Sequence, residues 1–458
     1  MDMDKPLDTS ETKIPNRFSL SMIHQKSRQK KLFLNSGQMQ FLRFTCGQII
    51  TLQIGMVRTD VKIDLQNLNS APDILYINKS AAASFPYIMG YRLNVVHHTN
   101  NLLILGSTLG YNVSKKTWNR FTKVASIRKR AYLALEKGIL FSCFCLDHVD
   151  WRNKQVNSYC MNPHTHKWEH RKLPVPQVFY YRGDKVRINN YQHKGNVTDI
   201  HWINAKRMFG KWETHLALQH FEKFHTHLPE TTLLSLPTLK EYSEKYQYCF
   251  VKNNIGSCGH NVFRIEKQAH SQYICSSGGS MVRHQVFSGL DDMYRFLNKT
   301  MRKSCIIQQG ISLAQIDGCP FDMRILIQKN IHGIWELSAL NFRIASPDAV
   351  VTNFSAGARD IMTVPGDPLP YPHLTWSTLN DFSLAVAYAL ETSLGSLGEI
   401  GLDVAIDNQG NLWVIEANSR PNIIAYRNAT DEALTTILGN PLDYSVFLNR
   451  KYYAERSQ

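Results

Sequence analysis

Apolar and polar positions divide the chain into three patterns. Residues 1–35 are polar and predict a flexible tail. From 36 to 98, short β-rich runs such as QIITLQIGMVR and DILYINKS alternate with polar turns, which predicts a small β-rich domain. NLLILGSTLG (101–110) then reads as a buried strand running into glycines. Helical spacing follows over 118–137 (WNRFTKVASIRKRAYLALEK), stopping at Gly138, and the strand ILFSCFCL comes directly after it. Strand, helix and strand in this order predict a βαβ unit in an α/β domain over 99–195, with VPQVFYYRG (175–183) as its last strand.

A third domain is expected over 200–450. It begins with a helix over about 204–224, a turn into a strand at LPETTLL, and a helix at LPTLKEYSEKY. The strands CFVK and NVFRIEKQ flank a glycine loop, and a helix near 289–303 leads to the strand CIIQQGIS. Two long strands, DMRILIQKN and WELSALNFRIA, turn at His332-Gly333. A helix over 379–394 and a hairpin over 401–421 complete the domain. There is no internal repeat and no low-complexity segment. The fold class is mixed, α/β and α+β.

Composition narrows the reading. An apolar content of 43% and a charged content of 19% are those of an ordinary globular protein. No apolar run reaches the roughly 20 residues of a membrane helix. The start, MDMDKPLDTSETKIPNRFS, has acids and no apolar segment, so it predicts no secretory signal and a cytoplasmic protein. Nine cysteines, scattered apart from Cys143 and Cys145, suit reduced thiols. Cys160, His164 and His166 lack regular metal-ligand spacing and read as loop polarity. The formal charge of +15 implies attraction to polyanions, nucleotides among them. No recognised nucleic-acid motif accompanies it, so a nucleic-acid partner is not expected.

The hairpin GLDVAIDNQGNLWVIEANSRP (401–421) carries carboxylates inside apolar runs. A four-residue loop at 408–411 would pair Asp407 with Leu412, Ala405 with Val414 and Asp403 with Glu416. Opposed residues share a face about 5 Å apart, and Asn418, two residues on, joins them. Two carboxylates and an amide oxygen suit magnesium, which completes its shell with water and phosphates. A solvated hairpin end with two ordinary acids is the competing account.

Three other segments bear on that choice. In YCFVKNNIGSCGHNVFRI (248–265), Lys252 ends an apolar strand and Gly256-Ser257-Cys258-Gly259 follow. Backbone N–H groups of such a loop can lie over phosphates while the lysine meets their charge. The pattern is neither a P-loop nor a dinucleotide fingerprint, since both require a helix next. CIIQQGISL ends an apolar strand in polar residues. CPFDMRILIQ puts Asp322 and Arg324 on one strand face, and LNFRIAS puts Arg343 in an apolar strand, where it needs an anion. Pairing of Asp322 with Arg324 would leave Arg343 unexplained.

Strand lysine, glycine loop, hinge, strand arginines and Asp…Glu-x-Asn, in that order, resemble the ATP-grasp superfamily. VKNNIGSCGHNV, IIQQGISL, PFDMRILIQK, VVTNFSAGA, LGEIGLDVAID and LWVIEANSRP are more closely similar to the endospore coat-associated ATP-grasp family, the YheC/YheD group. The resemblance covers roughly 100–430. It implies an ATP-grasp fold preceded by a small pre-ATP-grasp α/β domain and the β-rich N-terminal domain. It further implies that Lys252 and Lys211 (Lys206 being a weaker alternative) approach the nucleotide, and that Gly256, Ser257 and Gly259 form a lid. Gln308, Gln309 and Ile311 would border adenine. Arg324, Arg343 and Asn353 would line the phosphoryl site, and Asp403, Glu416 and Asn418 would hold Mg2+.

Two positions depart from the family pattern: Asn253 replaces a proline, and Asn261 a glycine whose positive φ asparagine can adopt. The resemblance implies binding of ATP with Mg2+ and ATP-dependent joining of a carboxylate to an amine through an acyl phosphate. It also implies endospore association, with spore coat proteins as candidate partners. The alternative is a coat-associated structural protein that binds nucleotide without turnover.

Overall fold

The computed structural model describes residues 16–455, except 26, 67–70, 184–199, 205–208, 257–260, 270–271, 279–281, 302–303, 347–348, 350–351, 353–357, 423–425 and 427–428. The chain divides into two compact units, one of 1–202 with 442–458, the other of 203–441.

Seven strands of the first unit close a barrel in the order Arg17–Ile23, Ile74–Asn78, Lys31–Leu34, Val57–Leu65, Ile49–Ile54, Leu102–Leu105, Arg92–Thr99. The first and third of these fall inside the expected tail. In RFSLSMI, Phe18 and Leu20 alternate with less buried residues, a half-buried strand that the polar flanks disguise. The run NLLILGSTLG is also divided: its first half is a barrel strand and its second half, Ser107–Asn112, belongs to another sheet. Gly106 makes the break at φ +79°, a conformation most side chains resist.

That second sheet has parallel strands Ser107–Asn112, Ile139–Phe144 and Val178–Tyr181, with Ser107–Asn112 between the other two. The helix Ala125–Glu136, shorter than expected, joins the first of them to the second and ends before Gly138 at φ +69°. A hairpin of Gln155–Met161 and Trp168–Pro174 extends the sheet, with His164 and His166 in its turn. Barrel and sheet share one apolar core.

The second unit has two six-stranded sheets with separate cores. The first runs Thr231–Leu233, Cys305–Gln309, Tyr248–Asn253, Val262–Lys267, Tyr273–Ser277, Arg283–Phe287, backed by the helices Leu236–Lys245 and Leu290–Thr300. The second runs Arg359–Thr363, Trp335–Ile344, Cys319–Lys329, Glu399–Ile406, Leu412–Asn418, with Gln315–Ile316 beside Cys319–Lys329. The helices Lys211–Gln219 and Trp376–Leu394 pack with its core. A helix of 25 residues, Asp431–Glu455, follows the last hairpin. The described cysteines form no disulfide.

Candidate functional site

The register of the second sheet brings the charged side chains together. Asp322 lies opposite Arg343 on one neighbouring strand, and Arg324 lies opposite Asp403 on the other. Asp403 is in turn opposite Glu416. The expected pairing is therefore present, by a different route. Ile406 pairs with Leu412 and Ala405 with Trp413, so the loop has five residues, and a bulge after Val414 restores the alignment at Asp403. Asp407 organises that loop: its carboxylate accepts from Gln409 N at 3.0 Å, Asn411 N at 2.8 Å and Trp413 Nε1 at 2.9 Å.

Each carboxylate already has a cationic partner. Asp403 receives both Nε and Nη2 of Arg324, the latter at 2.9 Å, and Arg343 Nη2 lies 3.2 Å away. Asp322 accepts from Arg343 Nε at 2.6 Å and also from Nη2. The expectation that Arg343 lacks an acidic partner is thus corrected. Asp322 serves Arg343, not Arg324, because cross-strand opposition sets the pairs. Glu416 takes Lys211 Nζ at 2.7 Å and Asn418 Nδ2 at 3.0 Å. Gly401, facing both strands, allows the close fit: a Cβ there would lie 2.9 Å from Pro421 and 3.6 Å from Arg324 Cδ.

The other sheet supplies Lys252, whose Nζ donates to Gln308 Oε1 at 2.7 Å. Gln308 also donates to Thr231 Oγ1 at 3.1 Å, so its side chain orients the lysine. Gln309 is engaged too, accepting from Glu230 N at 3.1 Å. Ile311 is buried, and its carbonyl accepts from Tyr248 Oη at 2.6 Å. A Cβ at the intervening Gly310 would lie 2.2 Å from the Tyr248 ring. Lys211 opens its helix at a fixed place: its N–H donates to Asn254 O at 3.0 Å and Trp212 N–H to Asn254 Oδ1 at 2.9 Å. Lys211 Nζ also reaches Gly256 O at 3.4 Å. Asn254 and Asp322 are the members of the set to which sequence reasoning assigned no site role. Asn254, directly after the lysine strand, gave no signal; Asp322 was read only as a same-face partner of Arg324 on its own strand, whereas register sets it opposite Arg343.

Asn253 is buried at the strand end, and its side-chain oxygen faces Cys305 Sγ at 3.6 Å. Asn261 adopts φ +56°, the left-handed conformation expected for the residue replacing glycine. Ser257, Gly259, Asn353 and the alternative Lys206 lie outside the described residues.

Electrostatics follow from burial and neighbours. Loss of hydration, reinforced by Lys211, lowers the Lys252 ammonium to about 8 despite the opposing pull of Glu416. Burial works against ionisation of Glu416, but Lys211 and Arg324 outweigh it and hold the carboxyl well below its ordinary range. Burial opposes the Arg343 charge as well, and Asp322 and Asp403 more than restore it. Four cations, Lys211, Lys252, Arg324 and Arg343, thus meet three carboxylates, Asp322, Asp403 and Glu416. The surplus positive charge suits an anion, or a cation delivered with one. Asp403, Glu416 and Asn418 supply hard oxygen donors of the kind magnesium takes. No group of three or more His, Cys, Asp or Glu among the described residues could hold a metal ion.

Two sheets carrying a strand lysine, strand arginines and a carboxylate hairpin define an ATP-grasp protein. The family described as YheC/D-like ATP-grasp matches residues 199–448, more than half of the chain, and the chain belongs to it. Endospore coat-associated protein YheD of Bacillus subtilis is 29% identical over 275 residues, covering 56% of this chain and 58% of YheD. The match therefore spans less than two thirds of that relative. Endospore coat-associated protein YheC of the same organism is 22% identical over 348 residues, covering 73% of this chain and 93% of YheC. Among solved structures, D-alanyl-alanine synthetase A from Vibrio cholerae aligns with TM-score 0.43 and 10% identity, over 76% of this chain and 98% of that one.

Proposed function

We propose that the protein binds Mg-ATP and joins a carboxylate to an amine through an acyl phosphate, in association with the endospore. The observation that carries this reading is the buried to half-buried cluster of four cations and three carboxylates between Lys252 and the Asp403–Glu416 hairpin. Lys252 and Lys211 would bind phosphate oxygens. An arriving polyphosphate offers Lys211 and Arg324 alternative anions, which releases oxygens of Glu416 and Asp403. With Asn418, those oxygens would hold magnesium, which supplies charge neutralisation at the phosphates. Arg343, kept in orientation by Asp322, would face the phosphoryl group in transfer, where a planar guanidinium already in place stabilises developing charge without reorganisation.

A substrate-panel assay tests this. Carboxylates are incubated with ATP, magnesium and hydroxylamine, and hydroxamate and ADP are measured. Hydroxamate from at least one carboxylate is expected. The second reading, a coat-associated protein that binds nucleotide without turnover, draws on the internal pairing of the cluster and on relatives named for coat association. Stabilisation by Mg-ATP with no hydroxamate or ADP from any carboxylate would select it. No helix among the described residues is long and apolar enough to cross a membrane.

A further inference from the structure

The first unit buries an arginine of its own. Arg130 lies on the helix Ala125–Glu136 in the stripe Ile127, Arg130, Ala131, Ala134, whose i, i+3, i+4, i+7 spacing marks the core-facing side. Its side chain is 0% exposed. Nη1 reaches Tyr111 Oη at 3.4 Å, while Nε and Nη2 have no hydrogen-bond partner among the described residues. No carboxylate pairs with it there. The guanidinium stands over the rings of Tyr111, at 5.3 Å, and Tyr180, at 5.6 Å, with Arg182 also over Tyr180 at 5.6 Å. Cation–π contact engages the guanidinium face and leaves the Nε–Nη2 edge without an acceptor.

The second unit shows what that edge does when satisfied. Arg324 and Arg343 each present Nε and Nη2 side by side to the two oxygens of one carboxylate, Asp403 and Asp322 respectively. Among the described residues, the same fork on Arg130 has no acceptor. A buried charge without an anion is among the costliest arrangements in a protein.

Position in the sheet points the same way. Ser107–Asn112 is the first parallel strand; the chain goes to Ile139–Phe144 on one side of it and later to Val178–Tyr181 on the other. Strand order reverses between Ser107–Asn112 and Val178–Tyr181, and ligands of open α/β sheets bind at the carboxyl ends of strands at such a reversal. Tyr111 and Tyr180 are register partners near those ends, their rings edge-on at 5.3 Å.

We infer that Arg130 is the anchor of a carboxylate-binding site in the first unit, the fork taking the carboxylate and the two tyrosine rings flanking it. A carboxylate is also the substrate class of the proposed reaction, but this site does not depend on that reading. The test measures melting temperature at constant ionic strength with acetate, succinate, glutamate or citrate in place of chloride. Wild type should show a saturable rise with at least one of them. Arg130→Met should weaken that response about tenfold or more, the loss expected for a charge-assisted fork, without lowering the melting temperature in chloride. Arg130→Lys keeps the charge but not the fork, so it should also bind more weakly and gives a reading should the Met variant not fold. Lys252→Ala should retain the response, separating this site from the phosphate cluster. No stabilisation by any of the four anions, an unchanged response in Arg130→Lys, or loss of the response in Lys252→Ala would overturn the assignment.

Discussion

The two units divide charge unequally. Of 52 Lys and Arg and 37 Asp and Glu in the chain, 32 and 15 belong to the first unit, leaving 20 and 22 in the second. The first unit thus carries a formal +17, more than the surplus of the whole chain, and the second, which holds the charge cluster, is slightly acidic at −2. The +15 of the whole chain is a poor guide to where a nucleotide would go. What marks the cluster is convergence: residues from two sheets and the start of a helix, largely removed from water, with each acid matched to a base. Arg324 and Arg343, set against Arg130, repeat the contrast. Those of the second unit are paired, whereas Arg130, in the basic unit, has no acid among the described residues.

The largest effect should come from breaking a pair. Arg343→Ala strands Asp322 and part of Asp403, so unfolding in urea should show a loss of about 3–5 kcal/mol. Arg130→Met removes a charge with no partner and should cost far less. Equal losses would erase the distinction between the two arginines. Hydroxamate formation by folded Arg343→Ala should fall by about 10²–10³, well beyond any loss of ATP affinity, if the guanidinium acts mainly on the transition state.

Glu416→Gln tests the other end of the cluster. The isostere keeps the side chain's shape, relieves repulsion from Asp403 and leaves Lys211 without its partner. The fold should survive while magnesium-dependent turnover drops on the order of 10²-fold, at the upper end of what loss of a supporting partner costs a metal site. Wild-type turnover in a folded variant would remove Glu416 from the metal set.

How much of this was readable in advance depended on whether local pattern or three-dimensional burial decided the outcome. Asp403 and Glu416 were legible as carboxylates inside apolar runs, and their opposition came out as expected because the extra loop residue and the bulge offset one another. The loop length and bulge were not, because Asp407 organises the turn through hydrogen bonds that no periodicity encodes. Arg343 was legible as an arginine in an apolar strand, but its partner, Asp322, lies 21 residues earlier and depended on the register between two strands. Arg283–Phe287 was missed because four of its five residues are exposed, which hides strand alternation. Asp431–Glu455 lies beyond the last element read from the pattern; Gly439 and Pro441 are residues that disfavour a helix, yet it continues through both. Arg130 sits in Arg128-Lys129-Arg130, three basic residues alike by type. Only its place on the Ile127–Ala131–Ala134 stripe sets it apart.

Ligand addition sharpens the charge argument at a smaller scale. Mg-ATP at 100 times its dissociation constant should stabilise the protein by about 2.7 kcal/mol. Magnesium alone should not, because the cluster already carries one positive charge more than it has negative charges. Thermal melts with each addition check this. A shift with magnesium alone, or none with millimolar Mg-ATP, would contradict the reading of the cluster as a site for a metal–polyphosphate complex.

The smallest effect concerns Lys252 and pH. Its folded-state pKa of about 8 lies below the 10.5 of an ordinary lysine. Below pH 8 the ammonium is charged in both folded and unfolded chains. Between 8 and 10.5 the unfolded chain keeps a proton that the folded chain has lost, so in ligand-free protein this group makes stability rise with pH across that window. Lys252→Met should flatten the rise. Phosphates favour the charged amine, so nucleotide binding has the opposite slope. Affinity for Mg-ATP should fall as pH climbs above 8, by up to about tenfold per unit, in a range clear of phosphate ionisation near 6. Lys252→Arg, charged throughout, should lose the slope. Titrations between pH 7.5 and roughly 9.5 measure it; an affinity constant across that range in wild type would mean that Lys252 does not meet the phosphates.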